Sequence, residues 1–78
     1  MKTTKYFEFR RTFPDRIEIQ DEWIQRIIKE PVKTVTQDDA RIKKWGRISE
    51  ASDRWLRVVL LEDGETVHNA FFDRDFKE

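Results

Sequence analysis

The dipeptide Asp63-Gly64 limits what this chain can fold into more than any other feature. It stands between two apolar runs, "RWLRVVLLE" before it and "TVHNAFF" after it. Such a dipeptide favours a β-hairpin, because a type I′ turn needs positive φ at both central positions. Val58-Val59 and the flanking aromatics suit a pleated surface. The register that follows sets Glu62 opposite Glu65, Leu60 opposite Val67, Val59 opposite His68, Val58 opposite Asn69, Arg57 opposite Ala70 and Leu56 opposite Phe71. One face then carries Leu56, Val58, Leu60, Val67 and Phe71, with Asn69 at its margin. The other carries Trp55, Arg57, Val59, Leu61, His68, Ala70 and Phe72. On that face Arg57 and His68 are diagonal neighbours, roughly 7–8 Å apart.

Upstream the period changes. In "DEWIQRIIKEP", Trp23, Ile24, Ile27 and Ile28 form one stripe of a helix while Gln25, Arg26 and Lys29 point away. Asp21 and Glu22 occupy the first turn, where the helix dipole favours anions. Pro31 restricts Glu30 and stops the helix. Period two returns in "VKTVT" and "ARIKKWGRI", which flank a turn at Gln37-Asp38-Asp39-Ala40. Gly46 is the expected place for a bulge, and "SEASD" reads as a polar loop. At the N-terminus, "KYFEFRR" alternates Phe7 and Phe9 with Glu8 and Arg10, which predicts a short strand or extended arm. The fold class is therefore α+β, with one main helix on an antiparallel meander of about four strands and an N-terminal strand or arm.

Size and composition narrow the chemistry. Seventy-eight residues make one domain, residues 1–78, with a core that is marginal by size. The chain has no cysteine and a single histidine, so disulfides and structural zinc are not expected. No Walker motif, HExxH or EF-hand loop is present, and no metal ion or cofactor is anticipated. No apolar run approaches the roughly 18–20 residues that span a bilayer, and "MKTTKYFEF" lacks the apolar region of a secretory signal. A cytoplasmic protein without a membrane partner is the expectation.

The formal charge is +0, with 16 basic and 16 acidic residues, but it is unevenly spread. Between Arg41 and Arg57 six basic residues face two acids, whereas from Val58 onward two basic residues face six acids. A local basic stripe of this kind suits a polyanion, even in a neutral chain. "ARIKKWGR" interleaves Arg41, Lys43, Lys44 and Arg47 with Trp45, a pattern for phosphate contacts beside a base-stacking platform. Its structural counterpart is an edge strand protected by lysines with an anchoring tryptophan.

His68 and Arg57 form the second candidate site. An imidazole with a near-neutral pKa is a natural general acid or base, and a guanidinium stabilises charge on a pentacoordinate phosphate. Arg74, in "FFDRDF", stands at the strand end where it can join a phosphate site or pair with Asp73 or Asp75. The competing reading is a half-buried strand histidine beside an arginine that snorkels to solvent. One helix cannot cover both faces of a sheet, so the second face calls for cover from Tyr6, Phe7, Phe9 and Phe13 or from another chain.

The order of elements from "IEIQDEWIQRIIKEP" to the meander ending "RVVLLEDGETVHNAFF" resembles a superfamily of small ribonuclease folds. It includes barnase, the EndoU enzymes, several colicin nucleases and the RelE-like and BrnT-like toxins. The likeness rests on Asp21-Glu22-Trp23 at the helix start and on Leu56 to Gly64, and it spans about Ile17 to Phe72. It implies metal-independent RNA cleavage by in-line attack of a ribose 2′-hydroxyl, in a toxin held in check by a small antitoxin-like partner. Under it Arg57, His68 and Arg74 would be catalytic, and Lys43, Lys44 and Arg47 would guide the RNA backbone. The alternative, from a different class, is a non-catalytic protein-binding or assembly module that uses the face of Trp55, Val59 and Phe72 for a partner or for self-association.

Overall fold

The apolar stripe Trp23, Ile24 and Ile27 anchors the core of the structure, a computed structural model that describes residues 1–78. These side chains lie on one side of helix α2, Asp21–Lys29, with Ile24 wholly buried. Glu30 caps its C-terminal end, as the following proline requires. The stripe packs on one face of a four-stranded antiparallel sheet. The strands are β1, Lys33–Thr36, β2, Ile42–Ile48, β3, Arg54–Leu60, and β4, Val67–Phe72, in the spatial order β1-β2-β3-β4. This is an α+β fold with the main helix against an antiparallel meander, as the sequence predicts.

Gly46 does not mark a bulge. The β2–β3 register runs unbroken through it, with Gly46 opposite Leu56. Its role is close approach: a Cβ built there would lie 3.0 Å from Cγ1 of Ile27 on α2. The glycine lets the helix rest directly on the strand.

The N-terminal segment is not a strand. Lys5–Arg10 forms helix α1, whose start is capped by Thr4, with Oγ1 accepting from the backbone N–H of Phe7 at 3.1 Å. Phe7 turns into the core while Phe9, its partner in the expected alternation, is 62% exposed. Two aromatics two residues apart mimicked a strand, but only one of them is buried. The expected arm survives in the residues before the helix. Thr3 bridges Val67 in parallel, and Thr4 N–H and Lys2 C=O bond Val67 on either side. This contact covers part of the open edge of β4.

The hairpin forms at the expected place with a different turn. Of the two turn residues only Gly64 has positive φ, at 71°, and its N–H bonds the Leu61 carbonyl at 2.9 Å. Asp63 contributes its side chain instead of a left-handed backbone. Its carboxylate accepts from the N–H groups of Glu65 and Thr66, each at 2.9 Å, and from the Thr66 hydroxyl. These bonds, led by those from Thr66, lower its pKa to about 2 from an ordinary 3.8. Because the folded carboxyl binds its proton less readily, the unfolded chain protonates first as pH falls. Stability from this turn is thus present above about pH 4 and lost toward pH 2. Asp63→Asn should flatten that acid limb in urea titrations across pH. Gly64→Ala should cost about 1–2 kcal/mol at neutral pH, because an L-residue resists the left-handed region.

The face assignment of β4 needs a correction. Leu60 pairs with Val67 as expected, but a β-bulge then shifts the register, so Val59 meets Asn69, Val58 meets Ala70, Arg57 meets Phe71 and Leu56 meets Phe72. A shift of one residue sends each later side chain to the opposite face. Ala70 is buried and Phe72 packs against the helix-side core, with its ring 6.5 Å from that of Trp23. Phe71 and Asn69 move to the second face. Trp55, Val59 and Phe72 therefore do not share one surface.

Candidate functional site

The bulge brings His68 and Asn69 together on the face away from α2, at a concavity of about 440 Å³. Val59 and Lys43, cross-strand partners in β3 and β2, form its floor with Arg57. Arg41 and Gln37 close it from the β1–β2 turn, and Tyr6 and Phe71 from the other side. Two arginines and a lysine thus meet a histidine and a tyrosine, and no carboxylate lines the wall. Two acids stand behind the cations. Asp39 lies 3.8 Å from Arg41, and Asp73 lies 3.7 Å from Arg57. Lys43 has no ion pair.

His68 is held on two sides by the N-terminal segment. Its Nδ1 is 3.1 Å from Thr4 Oγ1, and the Tyr6 ring stacks on it with centroids 4.9 Å apart and planes 22° from parallel. Burial, and then the positive charge of Arg41, lower its pKa below 6.5. At pH 7 the imidazole is therefore neutral. In the tautomer that carries the proton on Nδ1, this nitrogen donates to Thr4 Oγ1 and the neutral ring presents Nε2 as a base. Arg57 is held against two rings, 4.9 Å from the Phe71 centroid and 5.6 Å from that of Trp45. Its buried Nε has no hydrogen-bond partner. Asn69 Oδ1 accepts from Arg16 at 2.9 Å and from the Ala70 N–H at 3.0 Å, so its polar oxygen is fully used.

The expected site residues separate into two groups. Arg57, His68, Arg41 and Lys43 converge on the concavity. Lys44 lies on the opposite face, where its Nζ donates to the Ile28 carbonyl near the C-terminal end of α2 at 2.9 Å. Trp45 is no open stacking platform. Phe76 lies parallel to it at 4.8 Å, and its Nε1–H is donated to Asp73 at 3.0 Å. Arg47 stacks over Trp55 at 4.9 Å, outside the concavity. Arg74, beyond the end of β4, lines a different hollow.

Phe76 also meets Trp55 edge to face at 4.7 Å. Together with Tyr6 it gives the second face cover from within the chain. Tyr6 is one of the aromatics expected as cover for this face, whereas Thr4 is a residue that sequence reasoning missed at the site. The signal lay in Thr4 itself, an N-cap type placed before a segment that also has helical spacing at Phe7 and Arg11.

Comparison with protein-family models, with curated proteins and with solved structures finds no match for the chain. No helix is long and apolar enough to cross a membrane.

Proposed function

We propose that this protein is a metal-independent endoribonuclease of the toxin type, acting at the His68 concavity. The observation that carries this reading is the meeting of Arg41, Lys43 and Arg57 with a neutral histidine in a wall free of carboxylates. A phosphodiester placed there would be neutralised from several sides. His68 would take the proton of the ribose 2′-hydroxyl as it attacks the adjacent phosphorus. Arg57 and Lys43 would stabilise the charge that develops on the non-bridging oxygens. Tyr6, stacked on His68, would supply a proton to the departing 5′-oxygen. The products would be a 2′,3′-cyclic phosphate and a free 5′-hydroxyl. In a toxin–antitoxin pair, a small partner with an acidic segment would cover the same cations.

The test is incubation of the purified protein with end-labelled RNA in excess chelator. Fragments ending in cyclic phosphate are expected from the wild type, with Lys43→Glu reducing the rate at least tenfold. Intact RNA with folded wild-type protein, across a range of substrates, would sink the proposal. The binding-module alternative would use Trp55 and Val59, of which Val59 is buried and Trp55 half-buried within the single chain.

A further inference from the structure

A second concavity, of about 380 Å³, adjoins the first. Three arginines reach it from separate parts of the chain. Arg16 comes from the segment before α2, Arg54 from the start of β3 and Arg74 from beyond β4. Asp15 is the one carboxylate in its wall. Arg16 pairs with Asp15 at 3.2 Å, and Arg54 with Glu18 at 2.6 Å. Arg74 is exposed and makes no ion pair.

The two hollows share Phe71. Guanidinium groups from both sides rest on its ring, Arg16 at 5.1 Å and Arg57 at 4.9 Å. Arg16 also reaches Asn69 in the wall of the first hollow. The two hollows are therefore neighbours across one phenyl ring, with Lys43 and Arg57 on one side, Arg54 and Arg74 on the other, and Arg16 reaching both.

Resting on the RNA reading above, we propose that the protein binds single-stranded RNA across at least two phosphates. One lies at Lys43 and Arg57, and the other at Arg16, Arg54 and Arg74. A single strand fits because a row of cations that bends around one ring follows a flexible backbone. In-line attack also needs a sugar–phosphate geometry that an A-form duplex resists. In this arrangement Arg74 is a substrate-positioning residue, one hollow away from the reacting bond.

Binding of labelled 2′-O-methyl oligonucleotides, which lack the attacking hydroxyl, tests this across chain length and salt. Affinity should rise from one phosphate to two and beyond. The slope of log affinity against log salt should steepen by about 0.7 for each phosphate neutralised. Arg74→Glu should weaken oligonucleotide binding at least tenfold and make that slope shallower, and Arg74→Lys should restore both. Wild-type affinity that does not grow beyond one phosphate would overturn the second subsite, whatever the variants do. So would Arg74→Glu binding oligonucleotides as the wild type does while Lys43→Glu binds them weakly; in that case the RNA reading stands without the extension. Failure of the wild type to bind any oligonucleotide would remove both.

Discussion

Replacing His68 with alanine should slow RNA cleavage by a hundredfold or more at pH 7 while the protein stays folded. The size follows from what a positioned general base contributes, typically 10²–10⁴-fold. The fold should tolerate the change, because His68 is only half-buried and lies outside the helix-side core. What is lost are the bond to Thr4 and the stack with Tyr6. The pH profile separates a base from a structural residue. With the pKa of His68 lowered by burial and by Arg41, wild-type activity should persist below pH 6.5 and fall only as the ring protonates at lower pH. The His68→Ala protein should lose that inflection. The same shift has a consequence for folding. The unfolded chain takes up the proton first, so the contribution of His68 to stability is present above about pH 6.5 and declines as pH falls below it. If His68→Ala cleaves at the wild-type rate with an unchanged profile, His68 is not the base.

The largest effect on stability is expected from Ile24→Ala. Ile24 is fully buried in the centre of the α2 stripe, among Leu56, Val58 and Leu60 of the same core. Truncating such a side chain removes its transfer energy and leaves a cavity, together costing about 2–5 kcal/mol. A domain of 78 residues has only about 4–12 kcal/mol to lose at the usual 0.05–0.15 kcal/mol per residue. This one change would therefore take a large share of the total. Urea unfolding should show the midpoint falling sharply with little change in slope. Ile17→Ala is the control, since Ile17 is 71% exposed and should shift stability by no more than about 0.5 kcal/mol. Equal effects at the two positions would mean that the α2 stripe is not the centre of the core.

The two substitutions bear on different layers of the molecule. Ile24 lies between helix and sheet, in the layer that gives the domain its stability. His68 is on the outer face, where the sheet meets the N-terminal helix, Arg16 and the C-terminal segment. A protein this small can keep a charged hollow on that face because the apolar contacts are concentrated on the other. Aromatic rings from the chain ends fill much of the remainder, Tyr6 over His68 and Phe76 over Trp45.

Local signals in the sequence determined the elements that depend on near neighbours. Helix α2 was legible because its stripe, acidic first turn and terminating proline all lie within eleven residues. The strands and their antiparallel order were legible from period two and from turns at Gln37–Ala40 and Asp63-Gly64. The sequence offered Arg57 with His68 and the Arg41–Arg47 stripe as two separate candidates, and the sheet brings Arg41 and Lys43 of the second beside the first. What the tertiary structure alone decided were matters of facing and cover. The bulge at His68 adds one residue to β4, where the N-terminal segment bonds Val67, and so exchanges the places of Phe71 and Phe72. Helix α1 gains its burial from a sheet edge more than fifty residues away, and Trp45 is capped by a phenylalanine thirty-one positions downstream. Periodicity reports which residues alternate along one segment. Which face each set meets, and what lies over it, is fixed by contacts between segments that no local pattern encodes.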